Sequence, residues 1–262
     1  MILLASLEPS TGYTQQYVNA GSLQNKGIEL SLNAVPFVTE NFQWDFGVNF
    51  FRNTSEITEL NVPAYNTGAF GAGLGSYRLE EGKSATQIVG SYPDGLRVIG
   101  DGEADFQIGY NNNLSYKNLQ LTFLWQWKQG GDNINLTNLL SDLNGTSADY
   151  DDLTLDPAGE TVNGKFRPNA NAEVFVQDAS YLRLREIGLY YTLDSKMLPN
   201  VFGGSIESIK FGLSGSNLIN IFDYNGYDPE VSNFGGGTIF TGVDVTPFPS
   251  SKRYMFNVAI NF

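Results

Sequence analysis

From Phe42 to Phe51 the chain alternates strictly: Phe42, Trp44, Phe46, Val48 and Phe50 fall at every second position, with Gln43, Asp45, Gly47 and Asn49 between them. Successive side chains of a strand point to opposite faces, so this period of two predicts a strand with one apolar and one polar face. The pattern recurs. Phe106, Ile108, Tyr110, Leu114 and Tyr116 share one face of Asp105–Tyr116, interrupted by Asn112. Leu119, Leu121, Phe123, Trp125 and Trp127 share one face of Leu119–Gln129. The last stretch, Ser251–Phe262, sets Tyr254, Phe256, Val258, Ile260 and Phe262 against Arg253, Met255, Asn257, Ala259 and Asn261. Weaker segments at Ile2–Ser6, Gly27–Pro36, Ser180–Leu193 and Ile209–Gly215 bring the predicted strands to eight. In Ser180–Leu193 the apolar Ile187, Leu189, Tyr191 and Leu193 have the parity of Arg183 and Arg185. Either the arginines lie beyond the apolar zone or a bulge shifts the register.

The connections alternate in length. Phe37–Asn41, Lys117–Asn118 and Asp194–Glu207 are short, and the stretches between them, near 52–104, 130–178 and 217–250, are long. Outer-membrane barrels have short periplasmic turns and long external loops, and their strands alternate apolar-out and polar-in. The fold class expected is therefore all-β: an antiparallel transmembrane β-barrel segment of about eight strands from a larger barrel. Ending on Phe262 fits a strand that closes such a barrel, with its terminal aromatic at the membrane interface. A soluble β-sandwich or carbohydrate-binding module is the alternative, because alternation alone also suits two sheets packed face to face.

Composition narrows the chemistry. Net charge is −13 over 262 residues, so nucleic acid is not an expected partner. Cysteine and histidine are both absent, which removes thiolate chemistry, the usual general base and the commonest metal ligand. No catalytic residue, cofactor or metal site is assigned, and the chain is not read as an enzyme. No apolar run reaches 18 residues, which excludes a membrane-spanning helix and says nothing against a barrel. The first residues lack a basic start and do not read as a signal peptide.

The loops hold patterns that invite chemistry. The Gly-rich Thr67–Ser76 neither follows a clear strand nor opens a helix, so it reads as a flexible loop, not a phosphate cradle. Asp149, Asp151, Asp152 and Asp156 are closely spaced, but they lack the ordered glycine and terminal glutamate of a calcium loop. A solvated acidic loop is the preferred reading. Asp228-Pro229-Glu230 places two carboxylates side by side, whereas glycoside hydrolysis needs them facing across a cleft. Pro229 makes Asp228 extended and the segment a structured loop. Three Asn-x-Ser/Thr matches, at Asn53, Asn135 and Asn144, carry no meaning in such a protein.

Each strand face has two readings. Trp44, Phe123, Trp125, Trp127, Tyr254, Phe256 and Phe262 lie on the uniform apolar face, so membrane-facing packing and an interfacial girdle are preferred over sugar stacking. The lumen row includes Gln43, Asn49, Gln107, Asn111, Asn113, Gln120 and Gln126, which can hydrogen-bond a passing substrate or simply solvate a wet lumen.

Four ordered segments resemble one family. Asn25-Lys26-Gly27-Ile28-Glu29-Leu30, Tyr116-Lys117-Asn118, Asp178-Ala179-Ser180-Tyr181-Leu182-Arg183-Leu184-Arg185 and Gly226-Tyr227-Asp228-Pro229-Glu230-Val231 are similar to segments of the SusC/RagA-like TonB-dependent transporters. The resemblance covers nearly the whole chain but only the C-terminal part of such a transporter, which has about 22 barrel strands around a plug. It implies residues 1–262 as a C-terminal barrel portion without plug or N-terminal strands. It also implies an integral protein of a Gram-negative outer membrane, of the kind found in Bacteroidetes, that imports oligosaccharides or peptides. Its partners would be outer-membrane lipid, a SusD-like surface lipoprotein, and TonB through the missing N-terminal part. Gly226, Tyr227, Asp228, Pro229 and Glu230 would then shape the external rim that meets the lipoprotein.

Overall fold

A computed structural model describes residues 2–8, 10, 12–67, 72–147, 172–198, 205–230, 232 and 242–262. In chain order the strands are β1 (Ile2–Ser6), β2 (Gln15–Asn19), β3 (Gly21–Val38), β4 (Phe42–Leu60), β5 (Tyr65–Thr67), β6 (Ser76–Leu79), β7 (Gln87–Tyr92) and β8 (Gly95–Asp101). Then follow β9 (Phe106–Tyr116), β10 (Leu119–Gln129), β11 (Asp132–Asn135), helix α1 (Leu136–Leu143) and β12 (Val176–Asp178). The series ends with β13 (Tyr181–Asp194), β14 (Ser208–Ile221), β15 (Val243–Asp244) and β16 (Arg253–Asn261).

Seven strands form one sheet in the order β16-β14-β13-β10-β9-β4-β3, every pair antiparallel. Neighbours in this sheet follow one another along the chain, the up-and-down order of a barrel wall. The short connections lie along one edge. There the Lys117 N–H donates to the Asn41 carbonyl at 2.8 Å, Thr192 to Asn118 at 2.9 Å, and Glu207 to Asn261 at 2.9 Å. The β9–β10 turn is only Lys117-Asn118, and Lys117 adopts a positive φ of 51°, as a two-residue hairpin demands. The long connections leave from the opposite edge. Of the eight expected strands, Ile2–Ser6 is the one outside this sheet; it pairs with β2, just before β3.

Register shifts keep the faces clean. Between Leu184 and Glu186, β13 bulges against both neighbours. Beyond the bulge, Leu182 and Leu184 lie opposite Trp127 and Trp125 on the apolar face. Arg183 pairs with Gln126 on the other face. The bulge is therefore the correct resolution of the mixed parity. A second shift, between Ala34 and Phe37, accommodates Pro36, so the strand runs on to Val38 and does not stop at the proline. Strand β3 is at the sheet edge, where a missing N–H is tolerated.

The apolar face is open. Leu30 is 62% exposed and Phe256 66%, and no second sheet covers them among the described residues. This disfavours the sandwich alternative, in which the apolar rows would pack against each other. Aromatics gather at two levels of this face. Phe37, Trp44 and Phe46 stack near the short turns, and Phe50, Phe106 and Trp127 near the long loops. Along β9, Phe106 and Leu114, the partner of Trp44, are eight residues apart. At about 3.3 Å per residue and a tilt near 40°, that is roughly 20 Å of height, the scale of a barrel's apolar band. The one polar residue in that row, Asn112, is buried, and its carbonyl accepts the Trp44 indole N–H at 3.1 Å.

The opposite face closes by a different device. The Tyr190 ring lies over Gly188 and Gly212, where an added Cβ would come within 2.6 Å of it. Only glycine lets that ring lie flat on the wall.

The densest core is not in this sheet. Tyr77, Ile88, Ile134, Leu136 and Val243 form a buried cluster contributed entirely by the long connections. The described residues of these connections form regular structure. The stretch after Arg52, expected to be irregular, continues β4 to Leu60 and then makes the four-stranded sheet β5-β6-β7-β8. A second small sheet has the order β12-β11-β15. The overlooked signal was Pro93-Asp94-Gly95, a turn sequence between two apolar runs, with Gly95 at φ 125°. Residues 68–71 of the Gly-rich stretch and the acidic run Asp149, Asp151, Asp152 and Asp156 lie outside the described residues.

Replacing Trp44 by Phe removes the donor that satisfies Asn112. The expected cost is about 1–2 kcal/mol, the penalty for leaving a buried carboxamide unpaired. The check is the denaturant midpoint of the intact barrel. The double variant Trp44→Phe/Asn112→Leu should recover most of the loss.

Candidate functional site

All seven lumen candidates lie on the face opposite the apolar row, as the register shows. Several of them are bound to one another. The Asp45 carboxylate accepts from Gln43 at 2.7 Å and from Asn113 at 3.1 Å. Asn113 accepts from Gln120 at 2.8 Å, and Gln120 accepts from Lys210 at 3.0 Å. This ladder runs from an anion on β4 to a cation on β14, and Lys210 also lies 4.6 Å over the Tyr190 ring. Asn49 accepts from Ser31 at 2.8 Å, and Gln126 from Arg185 at 2.5 Å. Asn111 joins Asn33, Asp45 and Asn113 around a depression of about 290 Å³ at Gly47.

A cavity of about 230 Å³ lies where this face meets the long-loop layer. Its floor is a row of cross-strand partners, Gln107 on β9, Lys128 on β10 and Tyr181 on β13. Its walls include Tyr77, Thr86, Asn133, Pro229 and Glu230. Burial pushes the Tyr77 phenol up to about 12, so it is a neutral hydrogen-bonding group there. The cavity thus offers an ammonium, a carboxylate, phenols and carboxamides, a mixed set suited to polar ligands and poor for apolar ones.

Two of the segments singled out in the sequence meet at this cavity. Arg183 donates through Nη2 to Asp228 Oδ1 at 2.6 Å and through Nη1 to Glu230 Oε2 at 2.7 Å. Arg185 pairs with the other Glu230 oxygen, which also accepts from the Tyr181 hydroxyl at 3.2 Å. The side chains of Arg183 and Asp228 are each 1% exposed. Burial alone would raise the Asp228 carboxyl, but the Arg183 guanidinium and the Glu230 N–H outweigh it and hold it below the usual carboxylate range. The two arginines reach this position because the β13 bulge keeps both on the inner face. Strand parity alone did not reveal that the arginines and Asp228-Pro229-Glu230 are partners.

The loop around them is clamped further. Asn133 donates to the Pro229 carbonyl at 2.5 Å, and Asn135 to that of Asn225 at 2.6 Å while it caps α1. Tyr224 donates to Asp244 at 2.9 Å. Burial pushes Asp244 upward against its bonds from Thr137 and Tyr224. Gly226 leaves no space for a side chain, since an added Cβ would meet the Tyr224 ring at 2.5 Å. Tyr227, between these clamped residues, is 62% exposed. Asp228 and Glu230 are committed to arginines, which fits a structural corner and not a catalytic pair. Among the described residues no group of three or more acidic side chains is placed to hold a metal.

Asp228→Ala should cost about 3–5 kcal/mol in local stability, because it strands a buried guanidinium. Hydrogen exchange across 224–230 reads the loss. A depressed carboxyl contributes stability above its unfolded value, near 3.9, and loses it as pH falls through the folded value. Protection of this loop in the native chain should therefore hold at pH 5 and collapse only well below 4.

No family model matches the chain. Three curated relatives align over almost all of it. TonB-dependent receptors P3 and P26 of Formosa agariphila are 25% and 26% identical, covering 96% and 100% of this chain and 30% and 31% of those proteins. TonB-dependent receptor SusC of Bacteroides thetaiotaomicron is 23% identical, with 95% of this chain and 27% of that protein covered. The chain therefore spans less than a third of these relatives' length. Among solved structures, the RagAB peptide transporter matches with a TM-score of 0.76 at 22% identity, and the RagAB peptide importer in its closed-closed state with 0.74 at 19%. Each match covers 100% of this chain and 32% of the other. In sequence the chain is similar to one part of these TonB-dependent receptors, and in fold it is similar to the matching β-barrel portion of the RagAB structures.

Proposed function

We propose that this chain is the C-terminal barrel wall of a SusC-like importer in the outer membrane of a Gram-negative bacterium. The observation that carries the proposal is the seven-stranded sheet itself. One face is an open apolar band between two aromatic levels, and the other is a hydrogen-bonded polar wall. Among the described residues both outer strands, β3 and β16, pair on one side only, and unpaired backbone is not tolerated in lipid. Further strands must therefore complete the wall. A plug and a TonB-contact segment would belong to that remainder.

The substrate class is an oligosaccharide or a peptide. Support comes from the mixed polar cavity at the junction of lumen and loops. A SusD-like lipoprotein would sit on the long-loop side, where the clamped Gly226–Glu230 corner gives it a rigid rim. The long loops are built for such a role, since they carry their own buried core and do not depend on the membrane for order.

The gene encoding this chain with its full upstream reading frame, once expressed, should place its product in the outer-membrane fraction. A purely soluble full-length product overturns the proposal. The 262-residue chain by itself should neither insert stably nor transport, because its two edges stay unpaired. A monodisperse, heat-modifiable barrel formed by this chain alone would contradict the larger-barrel reading.

A further inference from the structure

The apolar face of the β3–β4 pair carries two cations at the long-loop end of its band. Lys26 precedes Ile28 by two residues, and Arg52 follows Phe50 by two, so both share the parity of the outward row. The β3–β4 register sets Arg52 opposite Ile28 and Lys26 opposite Thr54. The two cations are thus diagonal neighbours on adjacent strands, with Cβ atoms roughly 5–8 Å apart. Ile28 lies beside Arg52, and beneath the pair, toward the apolar band, come Leu30 and Phe50, where Phe50 stacks on Phe106 beside Trp127. The pair therefore marks the line where the band ends on the long-loop side.

Both side chains are exposed, and neither makes a hydrogen bond or ion pair among the described residues. This sets them apart from Arg78, Arg97, Arg183 and Arg185, all of which hold carboxylates. The nearest acid of the same parity is Glu56, opposite Gln24 and farther from the band, and it forms no ion pair with Lys26. Two uncompensated cations at this depth attract an anion fixed at the same depth. A lipid phosphate would meet that condition, because its own acyl chains would lie along Ile28, Leu30 and Phe50. An arginine fork with a lysine point charge is also a suitable donor set for phosphate oxygens.

We propose that Lys26 and Arg52 hold the phosphate group of an anionic lipid of the outer leaflet against the β3–β4 wall. The inference rests on the membrane reading above, but not on the substrate or the partner. The probes are diphosphorylated lipid A and its dephosphorylated form, titrated into the delipidated full-length receptor in detergent and followed by native mass spectrometry. The wild type should bind the phosphorylated form about tenfold or more tightly than the dephosphorylated one, the scale of two interfacial charges. Lys26→Gln/Arg52→Gln should abolish the difference while keeping a heat-modifiable barrel, and Lys26→Arg/Arg52→Lys should retain it. The single variants Lys26→Gln and Arg52→Gln should each lose part, which keeps the test open if the double variant folds poorly. A preference for phosphate that survives in the glutamine variant, or is missing from the wild type, overturns the site and leaves acyl packing alone. A receptor that never partitions into detergent refutes the membrane reading instead.

Discussion

The structure depends on one constraint: each strand of the main sheet must offer apolar side chains to the same side at a period of two. Water enforces this weakly and lipid strictly, because lipid offers neither hydrogen bonds nor screening to a misplaced polar group. The sequence does not keep the period unaided. Pro36, Arg183 and Arg185 would each break it, and register shifts at Ala34/Phe37 and Leu184/Glu186 restore it. Asn112 does break it and is compensated by a hydrogen bond from Trp44. These are different repairs to one requirement, two that move the backbone and one that adds a donor.

The β13 bulge also links the wall to the loops. Without it, Arg183 and Arg185 would keep the parity of Ile187 and Leu189 and point into the apolar band. With it, they turn inward and take Asp228 and Glu230. The same local irregularity thus keeps two charges off the apolar face and supplies the anchors that fix the Gly226–Glu230 corner. A buried ion pair contributes little net stability compared with an apolar substitute, but breaking one side is costly. The arrangement is better understood as specifying where the corner sits than as strengthening the fold.

The strands were legible because their signal is local. Trp44 to Phe50 and Phe123 to Trp127 declare their faces within a few residues, and the short turns set the order of neighbours. The lumen candidates followed from the same parity. The long-loop layer was not legible in this way. Its strands are short, and β7 and β8 reveal themselves only by the turn at Pro93-Asp94-Gly95. Its core joins residues as distant as Tyr77 and Val243. The pairing of Arg183 with Asp228 spans 45 positions and depends on a bulge that alternation can only leave open.

The wall and the loop layer cohere by different means. The wall has an exposed apolar face and a polar inner face, so neither side supplies a buried hydrophobic core among the described residues. The loop layer has its own core and its own small sheets. Its cohesion therefore comes from its own packing, whereas the wall's comes from its strand pairing. Between the two lie the cavity floored by Gln107, Lys128 and Tyr181 and the arginine-held corner beside it. A ligand in that cavity touches both parts at once, the rigid wall from below and the loops from above. Glu230, which lines the cavity and binds both arginines, is one of the contacts that join the loop layer to the wall.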